Sequence, residues 1–228
     1  MSPDPIALEV PAQVHGHVLL RVPAGEPPAG GWPLLAGFHG YAETAEKHLA
    51  QLETIPGGDG WALCAVQALH AFYTRGNEVV AGWMTRFARE QAIADNTAYV
   101  AAALAAARGQ LGAAGSGRLA LLGFSQGVAM AYRAAADHVR RGVACHGLVA
   151  LSGDVPPELA AMDLGGFPAV LIGRGTREEW YSEEKLAADL ALLAEKNVAA
   201  RAVRFEGGHE WTDPFRRAAG EFLDDVFA

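Results

Sequence analysis

One serine of this chain is placed for nucleophilic chemistry. The sequence Gly123-Phe124-Ser125-Gln126-Gly127 follows an apolar run that ends at Leu122, and a helical pattern begins directly after it. Gly-x-Ser-x-Gly at a strand-to-helix junction is typical of a nucleophile elbow, a sharp turn that raises the serine hydroxyl above the sheet edge. The glycines leave room for the crowded backbone. The alternative is that Ser125 is an ordinary helix N-cap, a position that serine favours.

A serine hydroxyl needs a base to accept its proton, and histidine is the usual one. In folds with such an elbow, the base follows both the nucleophile and the acid along the chain. Only His138, His146 and His209 follow Ser125. His138 falls inside a predicted helix, and His146 begins a strand at the wrong edge of the sheet. His209, in a Gly-Gly-His sequence between the last strand and the last helix, is therefore the predicted base rather than a solvated loop histidine.

The acid that orients the base should lie on a loop after one of the two strands that follow the elbow. Asp154 follows the first of these strands, and Glu178 and Glu179 follow the second. The alternative for each is a solvated surface carboxylate, which is the usual state of an acidic loop residue. The position of these residues along the chain does not choose among them.

Two backbone N–H groups should stabilise the oxyanion that forms during acyl transfer. The residue after the nucleophile supplies one donor, which here is Gln126, and a loop after an earlier strand supplies the other. The sequence Phe38-His39-Gly40-Tyr41 follows such a strand, so the Tyr41 N–H is the predicted second donor. We expect His39 to have a structural role, tying this loop by a hydrogen bond.

Short apolar runs alternate with longer helical patterns, which predicts a mostly parallel sheet with helices on both faces. With 228 residues and 51% hydrophobic residues, the chain suits one sizeable α/β domain over residues 1–228. The predicted strands are His17–Val22, Pro33–Phe38, Trp61–Val66, Arg118–Gly123, His146–Leu151, Pro168–Ile172 and Ala200–Phe205. The predicted helices are Thr44–Thr54, Arg89–Arg108, Gln126–Arg141, Ser182–Asn197 and Pro214 to the end.

The segment Ala68–Glu90 has no clear period but is rich in large side chains. It follows a strand of the predicted sheet, so it emerges at the carboxyl edge, where ligands bind in open α/β sheets. One interpretation is that its large side chains form a wall of the substrate pocket, and the other is that they pack the loop onto the body. The predicted substrate-binding residues are Phe72, Tyr73, Trp83 and Met84.

Charge and cysteine content exclude several function classes. The net charge is −8 and no basic run exceeds two residues, so neither nucleic acid nor an anionic membrane surface is an expected partner. Residues Met1–Pro5 lack the basic start and apolar core of a signal peptide, and no apolar run is long enough to span a membrane. Cys64 and Cys145, both in apolar contexts, are expected to be buried thiols of a cytoplasmic protein.

Four motifs together resemble the phospholipase/carboxylesterase family of serine α/β-hydrolases, which includes acyl-protein thioesterases and small bacterial carboxylesterases. They appear in family order and are Phe38-His39-Gly40, Gly123-Phe124-Ser125-Gln126-Gly127, Leu151-Ser152-Gly153 and Gly207-Gly208-His209. The family usually has Gly-x-x-Asp after the penultimate strand. Here Gly175-Thr176-Arg177-Glu178 stands in its place, so the resemblance selects Glu178 as the acid, one methylene longer than the usual aspartate. The segment from Trp83 to Asn96 is similar to a bacterial subgroup of esterases.

The resemblance implies the α/β-hydrolase fold and a serine hydrolase that cleaves small-molecule carboxylic esters or thioesters through an acyl-enzyme. Ser125, Glu178 and His209 would form the triad, Tyr41 and Gln126 the oxyanion hole, and no metal or organic cofactor would be required. A dienelactone-type hydrolase or peptidase on the same scaffold, or a non-catalytic binding protein, stays open because a fold does not determine its substrate.

Overall fold

The computed structural model describes residues 4–228, apart from the side chain of Ser116. Within that range, seven strands form one sheet in the order β1-β3-β2-β6-β7-β8-β9, and β1 alone runs antiparallel to its neighbour. This is the mostly parallel sheet predicted from the alternating apolar runs. The strands are β1 (Val18–Arg21), β2 (Leu34–Phe38), β3 (Ala62–Val66), β6 (Leu119–Phe124), β7 (Gly147–Leu151), β8 (Ala169–Gly175) and β9 (Ala200–Phe205), and a separate hairpin holds β4 (His70–Tyr73) and β5 (Val79–Gly82).

Helices cover both faces of the sheet, and each face has its own hydrophobic core. In β2, for example, Leu34 and Ala36 face one core while Leu35 faces the other, as expected where side chains alternate along a strand buried on both sides. Helices α2 (Arg89–Leu111), α3 (Gln126–Arg140) and α4 (Glu183–Glu195) pack on the first face, and α1 (Ala45–Leu52) and α5 (Asp213–Phe227) pack on the second.

Three helices begin one residue after a hydroxyl side chain that caps them. Thr44, Ser182 and Thr212 have extended backbone angles, and each side chain accepts a hydrogen bond from the N–H three residues later. Predicted helices that began at Thr44 and Ser182 therefore start one residue too early, because those residues are the caps.

The parallel strands end in register, which gathers their following loops at one edge of the sheet. Phe38 of β2 pairs with Gly123 of β6, and Gly123 pairs with Ala150 of β7. On the other side, Leu151 pairs with Gly173 of β8. The loops that carry all the predicted site residues leave the sheet along this edge, where α/β sheets bind their ligands.

The hairpin of β4 and β5 lies within the segment predicted to be irregular. Its register pairs Phe72 with Val80 and Tyr73 with Val79, so the aperiodic stretch contains two regular strands. Among the described residues, no helix combines the length and the apolar content needed to cross a membrane. The expectation about a leader sequence rests partly on residues 1–3, which lie outside the described range.

Candidate active site

Ser125 occupies a strained turn between β6 and α3. Its backbone has φ 53° and ψ −121°, an unfavourable region for a residue with a side chain, and its N–H donates to the Leu151 carbonyl oxygen at 2.9 Å. The flanking glycines are sterically required. A Cβ at Gly127 would lie 2.0 Å from the Phe38 carbonyl oxygen, and one at Gly123 would lie 2.5 Å from the Gly127 carbonyl oxygen. Helix α3 begins directly after Ser125, so its positive N-terminal end lies beside the hydroxyl.

Glu178 and His209 form a close pair. The Nδ1 atom of His209 lies 3.0 Å from one carboxylate oxygen of Glu178 and 2.9 Å from the other. The Glu178 side chain is fully buried, whereas about a quarter of the His209 side chain is exposed (26%). In this geometry the Nδ1–H of His209 donates to the carboxylate, which leaves Nε2 available as a base.

The Glu178 carboxylate is held in its ionised form. Burial raises the pKa of this carboxyl group. The hydrogen bond from the Trp180 N–H, at 2.9 Å, and the neighbouring His209 lower the pKa by more than burial raises it, so the pKa lies below its usual value. The buried Ser152 hydroxyl also acts on this carboxylate and lowers the pKa, although it lies outside ordinary hydrogen-bond geometry. A buried carboxylate that remains charged is suited to stabilising an imidazolium.

The other candidate acids and bases lie elsewhere. Asp154 pairs with Lys185 Nζ at 3.1 Å and is half exposed (51%), and Glu179 is exposed. His138 is buried in α3, where Nδ1 bonds the Ala134 carbonyl oxygen at 2.9 Å. His146 precedes β7 and therefore lies at the opposite edge of the sheet from Ser125.

His209 lies against the nucleophile elbow without bonding the serine. Its ring packs on Phe124, with 5.0 Å between ring centroids. Among residues 4–228, no hydrogen bond joins the Ser125 hydroxyl to His209. A hydrogen bond between a nucleophile and its base is often long or poorly aligned until substrate binds.

The two predicted oxyanion donors have free N–H groups. Within the described part of the chain, neither the Tyr41 N–H nor the Gln126 N–H donates to a protein acceptor. The loop before Tyr41 is tied by His39, whose Nε2 accepts from the Ala68 N–H at 3.1 Å and whose Nδ1 bonds the Gly40 carbonyl oxygen at 2.7 Å. Burial lowers the pKa of His39 more than this bond to Gly40 raises it, so the ring is neutral and structural, as expected.

One of the four predicted pocket residues lies in the hydrophobic core. Trp83 is fully buried and packs against Phe38 with ring centroids 5.7 Å apart, so its side chain belongs to the core and has no surface to offer a substrate. An aromatic side chain in a loop is compatible with either interpretation, a pocket wall or packing onto the body, and the burial of Trp83 favours packing. Tyr73 is exposed, and Phe72 and Met84 are partly exposed.

Glu43, which no sequence motif singled out, lies beside the candidate site. Its Oε2 accepts the Gly40 N–H at 2.7 Å, beside the predicted oxyanion donor. Burial raises the pKa of Glu43, while the bond from Gly40 and the charges of Lys47 and His209 oppose that rise. The sequence offered only the three-residue spacing from Gly40, which by itself does not distinguish Glu43 from a solvated loop carboxylate.

Burial also explains why neither cysteine is a nucleophile. Cys64 and Cys145 are unpaired and buried, and burial raises the pKa of both thiols to about 12. Neither forms a thiolate near neutral pH, which agrees with the expectation that both are structural.

Solved structures with the same architecture come from esterases and thioesterases. A carboxylesterase from Mesorhizobium loti is similar with a TM-score of 0.68 and 20% identity, over 87% of this chain and 90% of its own. Esterase PE8 is similar with a TM-score of 0.67 and 23% identity, over 92% of this chain and 98% of its own. The chain has the α/β-hydrolase fold. Acyl-protein thioesterase 2 from Zea mays shares that fold, with a TM-score of 0.66 and 17% identity, over 94% of this chain and 100% of its own.

These structural similarities establish the α/β-hydrolase fold and not the substrate. No protein-family model and no curated protein sequence matches the chain.

Proposed function

We propose that this protein is a serine hydrolase that cleaves carboxylic esters or thioesters of small molecules through an acyl-enzyme. The observation that carries the proposal is the buried pair of Glu178 and His209 beside the strained turn that presents Ser125. A nucleophile, a base and an orienting acid at one edge of the sheet form the arrangement that acyl transfer requires.

In the first half of the reaction, the Ser125 hydroxyl oxygen bonds the acyl carbon and its proton passes to Nε2 of His209. Glu178 keeps the imidazole in the required tautomer and stabilises the positive charge that it gains. The free N–H groups of Tyr41 and Gln126 bind the oxyanion of the tetrahedral intermediate. The intermediate then collapses, and Nε2 returns its proton to the departing alcohol or thiol.

In the second half, His209 accepts a proton from water while the water oxygen bonds the acyl carbon. The bond between that carbon and Ser125 breaks, the serine recovers a proton from His209, and the carboxylic acid leaves. All proposed groups belong to the chain, so these steps require no metal or organic cofactor.

The similar structures support this class of substrate. Their names describe two carboxylesterases, an esterase and an acyl-protein thioesterase, and such names denote cleavage of an oxygen or sulfur ester. For this chain we propose that Phe72, Tyr73 and Met84 contact the substrate, since the hairpin carrying Phe72 and Tyr73 leaves the sheet beside the Tyr41 loop. We also propose a cytoplasmic location, which two buried and unpaired thiols support.

Labelling with a fluorophosphonate probe tests the proposal directly. The folded protein should be labelled at Ser125 and should hydrolyse p-nitrophenyl esters, and the variant Ser125→Ala should lose labelling and about 10⁴-fold or more in kcat. A parallel panel of thioesters, lactones and peptide amides identifies the preferred bond. Preference for a lactone or an amide would replace the esterase assignment, and absence of labelling in folded protein would favour a binding protein.

A further inference from the structure

The loop that carries Tyr41, one of the two proposed oxyanion donors, is joined to the β4–β5 hairpin. The Ala42 N–H donates to the Ala81 carbonyl oxygen, and the Ala81 N–H donates to the Glu43 carbonyl oxygen, both at 2.9 Å. The Tyr41 ring stacks on Phe72 of the hairpin with ring centroids 5.2 Å apart. Tyr41 is therefore held from the hairpin side by both backbone and side-chain contacts.

Gln126, the other proposed donor residue, is joined to the end of the same hairpin through its side chain. The Gln126 carboxamide accepts the Trp83 N–H on Oε1 at 2.7 Å and donates from Nε2 to the Met84 carbonyl oxygen at 3.0 Å. Gly82 lies between the two donor residues. A Cβ at Gly82 would come within 3.0 Å of the Tyr41 ring and 3.3 Å of Gln126 Oε1, so the hairpin end fits closely between them.

Trp83 completes the connection from within the core. Its indole Nε1 donates to the His39 carbonyl oxygen at 2.8 Å, two residues before Tyr41. Its own carbonyl oxygen accepts from Asn96 Nδ2 at 2.7 Å, which anchors it to α2. Trp83 and its backbone thus contact the Tyr41 loop, the Gln126 carboxamide and α2 at once.

Resting on the proposed function, we infer that the Trp83 indole and the Gln126 carboxamide are positioning residues that set the distance between the two oxyanion N–H donors, Tyr41 and Gln126. The donors are far apart in the chain: Tyr41 lies in the loop between β2 and α1, and Gln126 begins α3. Oxyanion stabilisation depends on donors that are already aligned before charge develops. The hairpin provides that alignment by bonding to both sides of the hole.

Loss of this alignment has a distinct kinetic signature. The donors bind the oxyanion of the transition state more strongly than the ground-state carbonyl, so their misplacement lowers kcat and leaves KM nearly unchanged. An analogue that forms a tetrahedral oxyanion, such as a trifluoromethyl ketone, should lose affinity in proportion to kcat. A merely structural residue would change the fraction of folded enzyme and leave kcat per active site intact.

The experiment compares the variants Trp83→Phe and Gln126→Met with matched controls. Trp83→Phe keeps an aromatic ring but removes the indole donor, and Gln126→Met removes both carboxamide bonds without adding charge. The controls are Trp61→Phe and Gln51→Met. Trp61 is buried in the other core against Phe227, and Gln51 bonds Arg216 on the same face. Active sites are counted by the p-nitrophenol burst, and thermal unfolding is recorded for every variant.

Each test variant should lose about 10- to 100-fold in kcat per active site. The KM should stay within about twofold, and the trifluoromethyl ketone should weaken by the same factor as kcat. The controls should keep kcat. If either variant does not fold, the other still decides the question.

Two outcomes overturn the inference. In the first, the wild type hydrolyses esters and is labelled at Ser125, but the test variants keep their kcat and inhibitor affinity to the same extent as the controls. Only the positioning role then fails. In the other, folded wild type is neither labelled nor active, and the proposed function fails together with the role that rests on it.

Discussion

Both carboxylate oxygens of Glu178 lie within hydrogen-bond distance of Nδ1 of His209, at 3.0 and 2.9 Å. The carboxylate reaches the imidazole from the loop after β8, and the histidine comes from the loop after β9, so two neighbouring strands supply the pair. Because the Glu178 side chain is fully buried, water does not compete for this contact. The extra methylene of glutamate is thus accommodated without loss of the contact.

Replacing the carboxylate tests its proposed role as the acid. Glu178→Gln keeps the shape of the side chain but removes the charge, so the imidazole is no longer held in the required tautomer or stabilised when protonated. We expect kcat for ester hydrolysis to fall about 10³- to 10⁴-fold, as for a triad acid. Steady-state kinetics at several pH values, with the folded fraction checked by circular dichroism, measures the change.

The matched control is Asp154→Asn. Asp154 bonds Lys185 at the surface, and it follows the strand next to β8, where a triad acid can also lie. Its replacement should change kcat less than about twofold, since exposed ion pairs contribute little. A large loss in Asp154→Asn together with little loss in Glu178→Gln would transfer the acid role to Asp154.

Replacing Glu43 should raise the stability of the protein and lower its activity. Because burial raises its pKa despite the bond from Gly40, the folded state binds protons more readily than the unfolded state, and its stability falls as pH rises through the raised pKa. Glu43→Gln should therefore melt at a higher temperature than wild type at pH 8, with a difference that shrinks below pH 4.5. The same variant should lose about tenfold in kcat, because the carboxylate lies near His209 and anchors the loop before Tyr41.

Thermal unfolding across pH and steady-state kinetics measure both effects of Glu43→Gln. The control is Glu46→Gln, an exposed acid in the first turn of α1, which should keep kcat. A variant at position 43 that melts lower than wild type at pH 8, or that keeps full kcat, would contradict this account.

Gly127, two residues after the nucleophile, should tolerate no side chain. In Gly127→Ala, the added Cβ would lie 2.0 Å from the Phe38 carbonyl oxygen, which belongs to the backbone of β2 and cannot turn away. We expect a loss of about 3 kcal/mol in the free energy of unfolding. Gly109→Ala is the control, because Gly109 lies within α2 with open space around its Cβ position, and this change should stabilise the protein by up to about 1 kcal/mol. Chemical denaturation measures both, and equal stability of the two variants would refute the steric argument.

The fold and the chain order of the site could be read from the sequence because both depend on local patterns. Short apolar runs between helical patterns marked the seven strands of the sheet, and the Gly-x-Ser-x-Gly turn marked where β6 meets α3. His209 followed from its place between the last strand and the last helix. Each of these signals occupies a few neighbouring residues.

The missed features depend on contacts between distant residues. The β4–β5 hairpin is bonded to residues 42 and 43, and its first strand is largely exposed, so no apolar period marks it. Trp83 can be buried because its indole N–H donates to the His39 carbonyl oxygen, 44 residues away in the chain. The family resemblance selected Glu178 over Asp154, but the residues alone could not, because that choice depends on which carboxylate reaches the imidazole in the folded chain.

One buried histidine should make the protein sensitive to acid. His48 is fully enclosed beside Trp211, and neither ring nitrogen has a hydrogen-bond partner among the described residues. Burial, with a smaller effect from the charge of His39, lowers the pKa of His48 from 6.5 to about 3. Between these values the unfolded chain binds a proton that the folded chain excludes, so stability is full above pH 6.5 and is lost as pH falls toward 3.

The variant His48→Leu isolates this contribution. Leucine fills a similar volume without unpaired nitrogens, so the variant should be at least as stable as wild type at pH 7 and should lose less stability on acidification. At pH 4 its advantage over wild type should have grown by about 3 kcal/mol. Urea denaturation at pH 7, 5.5 and 4 measures the difference, with the exposed His15→Leu as the control. If His48→Leu and His15→Leu follow the wild-type pH dependence equally, His48 is charged in the folded protein or contacts water, and the enclosed neutral ring inferred here is wrong.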